Sequence, residues 1–526
     1  MKTLGERLVE WLEIYGIDTV FGIPGVHTVE MYRGLAASSI RHVTPRHEQG
    51  AGFMADGYYR AKGRVAAAFV ITGPGVTNIL TPMAQAYADS IPMLVVSSVN
   101  RTQNLGMGGD LHEIRNQSLI AAQAAAFSHT ITDPGQLPQV LARAWAVFEG
   151  ARPRPVHIEV PLDLFSVEVD GPTPNAPPIS ILPGTADVGE AASIMDRAQR
   201  PVILVGGGAN GASIAETAEA WDAPVVQSTN ARGLLPPDHP LSVPASPSLN
   251  SVRKLLADAD VVLAIGAEVG RTDYDMYDLG GFEINGTLIR VDIDPQQLTR
   301  GVIADIGICA HAMDACPLLR QRLDAKKMRD GAVRADAART AAWEEIGSKY
   351  RKIVQFLDGV RDRLPDTPIV CDSTQAAYAG NLYFAANTSR KWFNASTGYG
   401  ALGYGLPAAI GAALALDGPV VCIAGDGGLQ FTLTDLGTAV EEKLPLILLV
   451  WNNQGYGEIK DYMVDRQINP VGVDLHTPDF VAIGKAYGAK ALHLENLADL
   501  PGLLTEAATR HGPTLIEIDD AMVLGA

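Results

Sequence analysis

Two short polar motifs, each directly after a buried run, constrain this chain more than any other feature. Gly425-Asp426-Gly427 follows the apolar run 420–424, and Asn452-Asn453 follows the apolar run 444–451. The segment 431–443 between them is predicted to be helical. This strand–helix–strand order predicts a parallel sheet, and both motifs fall at its carboxyl edge, where α/β folds bind ligands.

The residue types in these motifs suit a metal-bound phosphate group. Asp426 and Asn453 leave neighbouring strand ends and can supply oxygen ligands to one Mg²⁺ ion, which keeps positions open for phosphate oxygens. Gly427 and Gly428 let the backbone approach those phosphates closely. Because Gly-Asp-Gly alone is also ordinary turn chemistry, the interpretation depends on the spacing and the flanking strands.

Length and composition fit a multidomain α/β protein. The chain has 526 residues, and about 150 residues per domain predicts three or four domains. Hydrophobic residues make up 47% and aromatic residues only 6%, with 53 glycines, which favours tightly packed α/β layers over a β-sandwich.

Composition also argues against several classes of partner. The net charge is −18 with no basic cluster, so no nucleic-acid partner is expected. No run of about 18 apolar residues exists and the first residues lack an apolar signal region, so no membrane partner is expected and a cytoplasmic location is predicted. The four cysteines are scattered, without metal-ligand spacing and without an implied disulfide.

Alternating strand and helix patterns predict three doubly wound parallel-sheet α/β domains, at 1–170, 185–330 and 350–526. A proline-rich stretch, 169–183, is the linker candidate after the first. The glycine-rich run 206–211 follows a strand of the middle domain but lacks a clean dinucleotide fingerprint. The predicted strands are 19–22, 65–72, 93–98, 156–160, 201–205, 261–266, 287–292, 368–371, 420–424, 444–451 and 514–519, and the predicted helices are 4–15, 47–62, 78–90, 323–339 and 431–443.

The pair of motifs resembles the signature of the thiamine-diphosphate enzymes, which is Gly-Asp-Gly, some two dozen residues, then Asn-Asn. The segments 46–48, 55–58 and 72–78 resemble the pyrimidine-binding half of the acetolactate synthase branch of that family. The resemblance covers nearly the whole chain, including 232–240 in the middle. It implies a pyrimidine-binding domain, a central Rossmann-like domain and a diphosphate-binding domain.

The resemblance assigns Glu48 as the carboxyl that hydrogen-bonds the pyrimidine ring of the cofactor. Proton exchange with the ring would promote the imino form of the exocyclic amine, which then makes the nucleophilic ylid; such positioned proton transfer contributes ~10²–10⁴-fold. The implied metal ligands are Asp426, Asn453 and the Gly455 carbonyl. The implied cofactor-binding residues are Pro24, Gly25, Thr72, Gly73, Gly75, Asn78, Ser373, Thr374, Gln375, Gly400, Leu402, Gly425, Gly427, Gly428 and Tyr456.

Two of these residues have specific implied roles. Leu402 would be the apolar wedge that bends the cofactor, where acetolactate synthases usually carry Met. The Gly400 carbonyl would accept a hydrogen bond from the aminopyrimidine.

Family members share ylid attack on a 2-oxo acid and loss of carbon dioxide, and they differ in whether the resulting enamine is protonated, ligated or oxidised. This chain departs from the synthases at Val26-His27, which follow the Pro-Gly turn, and at 268–271, where the flavin-contacting segment differs; the latter counts against FAD. His27 and His112 are the candidate acid/base groups of the pocket. Glu458, just after the metal loop, is a further catalytic candidate.

The combination of 25–28, the His112-Glu113 loop and 456–458 looks most like decarboxylases of 5-guanidino-2-oxopentanoate. A guanidinium tail needs a carboxylate for a bidentate contact. The candidates are Asp110, Glu113, Glu458 and Asp461.

The favoured prediction is therefore non-oxidative decarboxylation of a 2-oxo acid with thiamine diphosphate and Mg²⁺. Two alternatives stay open, an acetolactate synthase-type carboligase that joins two 2-oxo acids and a non-catalytic regulatory paralogue. In this family the residue that matches Glu48 reaches the cofactor of a partner subunit, so the resemblance implies at least a homodimer, with a homotetramer common.

Overall fold

The computed structural model describes residues 2–170, 181–274, 283–324 and 327–525. Three six-stranded sheets dominate it, and every strand pairing within them is parallel. The predicted fold class, three doubly wound parallel-sheet α/β domains, is confirmed. Most of the predicted proline-rich linker, 171–180, lies outside the described residues.

The N-terminal sheet has the strand order β3-β2-β4-β5-β7-β6, and β1 pairs antiparallel with β8 beside it. The strands are β1 Lys2–Thr3, β2 Thr19–Gly22, β3 Arg41–Val43, β4 Ala67–Val70, β5 Met93–Val99, β6 Phe127–Thr130, β7 Pro155–Pro161 and β8 Glu168–Val169. The helices are α1 Leu4–Ile14, α2 Val29–Ala36, α3 Glu48–Lys62, α4 Pro74–Ala88, α5 Gln117–Ala122, α6 Leu137–Gly150 and α7 Leu162–Phe165.

The central sheet has the order β11-β10-β9-β12-β13-β14, which is the strand order of a dinucleotide-binding fold. Its strands are β9 Pro201–Val205, β10 Val225–Gln227, β11 Ser242–Val243, β12 Val261–Ile265, β13 Thr287–Asp292 and β14 Ile306–Cys309. Its helices are α8 Thr185–Arg197, α9 Ile214–Trp221, α10 Asn250–Ala257, α11 Arg271–Tyr274 and α12 Ala312–Arg320.

The C-terminal sheet has the order β16-β15-β17-β18-β20-β19, which repeats the topology of the N-terminal sheet. Its strands are β15 Ile369–Cys371, β16 Trp392–Asn394, β17 Val420–Gly425, β18 Leu446–Asn452, β19 Lys490–His493 and β20 Thr514–Asp519. The helices are α13 Gly331–Glu345, α14 Gly347–Arg363, α15 Gln375–Leu382, α16 Gly405–Leu416, α17 Asp426–Leu429, α18 Leu436–Glu441, α19 Gly457–Asp465, α20 Phe480–Tyr487, α21 Leu500–Ala508 and α22 Asp520–Leu524. Short 3₁₀ helices occur across the chain at Thr102–Asn104, Pro134–Gln136, Gly207–Ala209, Thr229–Ala231, Gln297–Thr299, Leu433–Asp435 and Leu497–Asp499.

Central strands are covered on both faces, so they appear in the sequence as continuous apolar runs. In β17, Val420 and Cys422 pack in one core, while Val421 and Ile423 pack in the core on the opposite face. The first of these cores is shared with the N-terminal sheet, and the second is shared with the central sheet.

Three predicted helices have different bounds in the structure. The helix predicted at 78–90 begins at Pro74, because proline is well placed at a first helical position. The helix predicted at 323–339 begins only at Gly331, after Asp330 in a left-handed conformation. The helix predicted at 431–443 is instead a 3₁₀ turn, Leu433–Asp435, followed by the shorter α18. The Thr432 hydroxyl donates to the Gly403 carbonyl at 2.7 Å, which ties the start of this segment to the glycine-rich loop. Among the residues described, no helix combines the length and apolar character that a membrane crossing needs.

The N-terminal and C-terminal domains meet where α3 crosses α16, and two glycines permit the contact. A Cβ on Gly57 would lie 2.0 Å from the Ala408 carbonyl oxygen, and one on Gly411 would lie 1.9 Å from the Met54 carbonyl oxygen. No side chain can occupy either position without separating the helices. The backbones of the two helices are therefore in direct contact.

A buried carboxyl, Asp435, lies at the same boundary. Its Oδ1 accepts a hydrogen bond from the Arg46 backbone N–H at 2.8 Å, and its Oδ2 is buried without a partner in the described part of the chain, against Gly50. Burial raises the pKa of Asp435 to about 7.

We predict that Asp435 makes stability depend on pH near neutrality. Its folded-state pKa lies above the ordinary 3.8, so the folded protein holds the proton longer than the unfolded chain does. The stability that the folded protein gains by holding the Asp435 proton is complete below about pH 4 and is lost as the pH rises through about 7. Between pH 5 and 8 the unfolding temperature should therefore fall more for the wild type than for Asp435→Asn, which keeps an acceptor for Arg46. The exposed change Glu216→Gln is the control and should follow the wild type; parallel curves for all three would contradict the prediction.

Candidate active site

The first cluster of site residues lies where three parallel strands of the C-terminal sheet end side by side. Cys371 of β15 pairs with Ile423 of β17, and Gly425 of β17 pairs with Trp451 of β18. The residues that follow these strands are Asp372, Asp426 and Asn453, so the register brings them to one edge of the sheet. The sequence predicted two of the three.

Three oxygen atoms converge at this edge, as expected for a cation site. The Asn453 side-chain oxygen lies 3.1 Å from Asp426 Oδ1 and 2.8 Å from the Gly455 carbonyl oxygen, with no hydrogen between them. Octahedral oxygen ligands 2.0–2.1 Å from Mg²⁺ are themselves about 2.9 Å apart. Turned over, the Asn453 amide would instead donate to both neighbours, so the arrangement suits either a bound cation or a hydrogen-bonded pair. In the described part of the chain no group of three or more His, Cys, Asp or Glu side chains forms another metal site.

The carboxylate of Asp426 is fully buried. Its Oδ2 accepts from the Thr477 hydroxyl at 3.1 Å. Burial raises the pKa of Asp426; a cation beside it would oppose that shift by stabilising the ionised form.

Asp372 holds the glycine-rich loops around this site, and the sequence analysis missed it. Its carboxylate accepts backbone hydrogen bonds from Gly403 at 3.1 Å, Gly405 at 3.0 Å and Ser373 at 2.8 Å. Burial raises the pKa of Asp372 to about 6, and these three donors act in the opposite direction. The signal was present, since Asp372 follows a buried strand directly, as Asp426 does.

The predicted diphosphate loops surround this carboxylate. A Cβ on Gly428 would approach Asp372 Oδ1 to 3.1 Å, and one on Gly427 would approach the Tyr456 ring to 2.7 Å, so both glycines are needed for packing. The remaining predicted members lie near by: Ser373 accepts at 3.1 Å from the Ser396 hydroxyl, Thr374 lies 3.2 Å from a Cβ on Gly425, and Gln375 accepts from the Trp451 indole at 3.1 Å.

The wedge candidate Leu402 is half-buried, and its side chain would lie 3.6 Å from a Cβ added to Gly428, so it borders the same site. Gly400 is exposed with φ +72° and has open space around its Cβ position. The loop that carries both residues therefore passes over the strand ends.

The second cluster lies in the N-terminal domain around Glu48. This residue is the first of α3, is half-buried, and accepts a hydrogen bond from Asn78 Nδ2 at 2.9 Å. Asn78 lies in the first half of α4, where a Cβ added to Gly75 would lie 3.0 Å from the Ile71 side chain. The two residues that the resemblance assigned to one ring of the cofactor are thus in direct contact.

The Pro24-Gly25 turn and two histidines lie beside this pair. The Thr28 hydroxyl closes the turn by donating to the Gly25 carbonyl at 3.0 Å, and a Cβ on Gly25 would meet Ile71 at 2.6 Å. The rings of His27 and His112 contact edge to face, with centroids 5.3 Å apart. Burial, and then the neighbouring His112, lower the pKa of His27, whose Nδ1 is buried without a partner among the described residues.

Gly73 joins the histidine loop to the cofactor-binding turn. Its φ is +68°, and a Cβ would lie 2.1 Å from the His112 carbonyl oxygen. Its backbone N–H donates to Gln117 Oε1 at 2.8 Å, while Thr72 shares a 2.9 Å hydrogen bond with Ser98. Gln117 was not predicted, because its role comes from long-range contacts that no local motif encodes.

Glu458 follows the predicted metal loop in the chain and lies against side chains of α14. The Lys349 ammonium lies 3.5 Å from Glu458 and 3.0 Å from Asp461, and the Tyr350 hydroxyl donates to Glu458 at 3.4 Å. The catalytic role of Glu458 remains a prediction, but its carboxylate has a cation beside it within the chain.

Within one chain the two clusters are separate. No hydrogen bond or ion pair of the described residues joins Glu48, Asn78 or His27 to the strand ends of the C-terminal sheet. Both clusters are bordered by exposed apolar side chains: Val26, Met107 and Leu111 in the N-terminal domain, and Tyr399, Phe431 and Tyr462 in the C-terminal domain.

A separate cavity of about 810 Å³ lies between all three domains, at the carboxyl edge of the central sheet. Most of the glycine-rich run 206–211 lines it, and so does Glu268, which pairs with Arg152 at 2.7 Å. The expectation against FAD remains a prediction.

Comparisons with known proteins agree with this division of the site. The thiamine pyrophosphate enzyme N-terminal TPP binding domain matches residues 2–120, the central domain of the same family matches 188–319, and its C-terminal TPP binding domain matches 372–518. A probable 2-ketoarginine decarboxylase, AruI, of Pseudomonas aeruginosa is 43% identical over 532 residues, covering 99% of this chain and 94% of that protein.

Acetolactate synthases are also similar over the whole length. The isozyme 3 large subunit of Escherichia coli is 30% identical over 538 residues, covering 96% of this chain and 92% of that protein. A probable large subunit of Methanococcus aeolicus is 29% identical over 553 residues, covering 97% and 91%.

We predict that Gly73→Ala disrupts the histidine loop. The new Cβ would clash with the His112 carbonyl and would also force alanine into a left-handed backbone, at a cost of about 1–3 kcal/mol. Gly106→Ala is the matched control, because Gly106 has a similar φ of +77° with open space around it. Hydrogen exchange of residues 105–116 should rise much more in Gly73→Ala than in Gly106→Ala; equal increases would show that backbone strain alone accounts for the effect.

Proposed function

Because this chain belongs to the thiamine pyrophosphate enzyme family, we propose that it decarboxylates a 2-oxo acid without oxidising it, and that 5-guanidino-2-oxopentanoate is the substrate. The chain is a thiamine-diphosphate-dependent enzyme. The observation that carries the substrate proposal is the full-length 43% identity to a probable decarboxylase of 2-ketoarginine, which is this guanidino acid.

The residues of the C-terminal cluster fit the diphosphate end of the cofactor. We propose that Asp426, Asn453 and the Gly455 carbonyl bind Mg²⁺, since the Asn453 amide group lies 3.1 Å from Asp426 Oδ1 and 2.8 Å from the Gly455 carbonyl oxygen, and each of the three groups carries an oxygen ligand that Mg²⁺ accepts. We assign the backbone N–H groups of Gly427 and Gly428, at the start of α17, to the phosphate oxygens. The remaining predicted diphosphate and pyrimidine contacts keep the roles that the sequence assigned to them.

When bound, thiamine diphosphate supplies the carbanion that attacks the 2-oxo carbon and accepts the electron pair that carbon dioxide leaves behind. Glu48 holds a proton for the pyrimidine ring nitrogen, and Asn78 fixes the direction of its carboxyl by donating to Oε2. We assign His27 and His112 to protonation of the carbon that lost carbon dioxide. Their rings contact each other edge to face, and the His112 backbone adjoins Gly73, so both histidines lie beside predicted cofactor-binding residues.

We propose that two chains combine to complete the site, with a homodimer as the smallest active unit and a homotetramer as a further assembly. Glu48 has no contact with the metal cluster of its own chain, and exposed apolar side chains border both clusters. Large exposed apolar areas mark association surfaces. Placing the N-terminal cluster of one chain against the C-terminal cluster of another would bury these side chains and join the two halves of the site.

We predict that two inactive variants complement each other in a mixed dimer. Glu48→Gln should remove the proton exchange and Asp426→Asn the metal ligand, each lowering kcat by about 10²-fold or more. A dimer of one Glu48→Gln chain and one Asp426→Asn chain contains one intact site, so co-expression should restore about a quarter of wild-type activity.

The control is the same co-expression with two variants of one cluster, Glu48→Gln and Asn78→Ala, which cannot rebuild a site. If the mixed Glu48→Gln and Asp426→Asn preparation stays as inactive as this control, the site does not span two chains.

The substrate proposal predicts an aldehyde from 5-guanidino-2-oxopentanoate and little reaction of pyruvate. Proton NMR of the products, with thiamine diphosphate and Mg²⁺ present and the two acids in separate tubes, measures both. Acetolactate from pyruvate would instead support the alternative function, a carboligase like the synthases that are about 30% identical to this chain. If no 2-oxo acid yields carbon dioxide, the alternative that remains is the non-catalytic regulatory paralogue.

Two organisational predictions accompany this function. We propose the domain boundaries 1–170, 185–330 and 350–526, which agree with the grouping of the strands into three sheets. We also propose that the enzyme works in the cytoplasm, since all four cysteines are free thiols.

A further inference from the structure

A cationic substrate tail needs a carboxylate that is not already neutralised, and the structure separates the candidates on this ground. Glu458 and Asp461 share Lys349. Glu113 accepts backbone hydrogen bonds from Gly108 at 3.1 Å and Asp110 at 3.2 Å, so it orders its own loop yet has no cation in contact within the described chain. None of the four carboxylates proposed from the sequence, which include Asp110, is a buried carboxylate without a cation.

A fifth carboxylate, Glu159 in β7, has that property and was not predicted. Its side chain is only 4% exposed. It accepts from the Thr130 hydroxyl at 2.5 Å and from Gln117 Nε2 at 3.0 Å, and both donors are neutral. Burial raises the pKa of Glu159, and these hydrogen bonds lower it only in part. A cation beside the carboxylate would offset the cost of burying its charge.

Glu159 faces a cavity of about 170 Å³ that lies under the histidine loop. Glu113 lines the same cavity, together with the apolar side chains of Leu105 and Ile114. Thr72, which directly precedes the Gly73 turn, forms part of its wall. The cavity therefore lies next to the pyrimidine-binding cluster and has two carboxylates and an apolar part.

A second observation in this cavity points to an absent ligand. Asn100, which directly follows β5, lines the cavity and is only 4% exposed. Its side-chain amide makes no hydrogen bond with any residue in the described ranges and opens onto the cavity. Its carbonyl oxygen is thus available to a hydrogen-bond donor inside the cavity.

We propose that this cavity is the subsite for the cationic end of the substrate, with Glu159 and Glu113 as the charge partners of a guanidinium and Asn100 as a neutral acceptor. The inference rests on the proposed function and specifies how that site selects its substrate.

The chemistry of a guanidinium fits these groups. It carries five N–H donors in a plane, and charge-assisted contacts to carboxylates are the strong ones. The methylene stem can pack against Leu105 and Ile114, whose side chains border the cavity. Arg115 also lines it, but this residue is exposed, so its charge is solvated rather than buried beside Glu159.

The test compares substrate discrimination in the holoenzyme. The ratio of kcat/KM for 5-guanidino-2-oxopentanoate to kcat/KM for the neutral 2-oxohexanoate is measured for the wild type, Glu159→Gln and Asn100→Leu. Both variants should lower this ratio at least about tenfold, chiefly through KM for the cationic acid. Glu159→Gln keeps a polar group of the same shape in the network, and Asn100→Leu occupies the cavity without changing the carboxylates, so the two variants are independent tests.

Asp163→Asn is the matched control. Asp163 lies just after the same strand and accepts from Thr102 at 2.9 Å and 2.6 Å, but it does not line the cavity. Its ratio should equal that of the wild type. If Glu159→Gln and Asn100→Leu lower kcat/KM equally for both substrates, these residues are merely structural and the subsite proposal is wrong. Turnover of the guanidino acid by the wild type would still uphold the proposed function in that case. If the wild type decarboxylates neutral 2-oxo acids but neither the guanidino acid nor 6-amino-2-oxohexanoate, both the subsite and the proposed substrate are wrong.

Discussion

The chemistry of this protein depends on the in-register ends of parallel strands. In the C-terminal sheet the register of β15, β17 and β18 places Asp372, Asp426 and Asn453 at one edge. Asp372 binds the backbone of the glycine-rich loops, and the side chains of the other two residues meet at 3.1 Å. A shift of one residue in either pairing would turn the adjacent side chains to the opposite face of the sheet. The buried apolar strands, through their packing on both faces, therefore set the position of each polar group.

The sequence predicted those parts of the fold and of the site that depend on residues close together in the chain. Asp426 and Asn453 are joined by one strand–helix–strand unit, so their spacing was sufficient evidence. Central strands were found because they are continuous apolar runs, whereas edge strands such as β3 and β19 are short and partly polar and were missed. In the C-terminal sheet β20 lies between β18 and β19, although β19 precedes β20 in the chain. This pairing is set by tertiary contacts, which no local sequence pattern records.

The polar network behind the cofactor-binding turn shows the same limit more clearly. Gln117 accepts from the Gly73 backbone and donates to Ser97 at 3.0 Å and to Glu159 at 3.0 Å. Its partners come from an earlier turn, an earlier strand and a later strand. Each residue alone is an ordinary polar side chain in the sequence, and only the fold gives it a buried position and a set of partners. Sequence reasoning could therefore propose carboxylates next to the recognised motifs for a cationic substrate, but it could not find a carboxylate inside a strand.

Separation of the two clusters within one chain has a physical advantage. A carboxylate–metal site must bind a highly charged diphosphate, which requires polar loops and exposed backbone N–H groups. Proton exchange at an aromatic ring works better in an apolar, water-poor cleft, because electrostatic interactions are stronger there. Placing these environments on different domains lets each be built on its own sheet, with Asp372 organising one and the Gly73 turn organising the other. In the proposed dimer, association of two chains would close the cleft, so the low-dielectric part of the site would form only in the assembled enzyme.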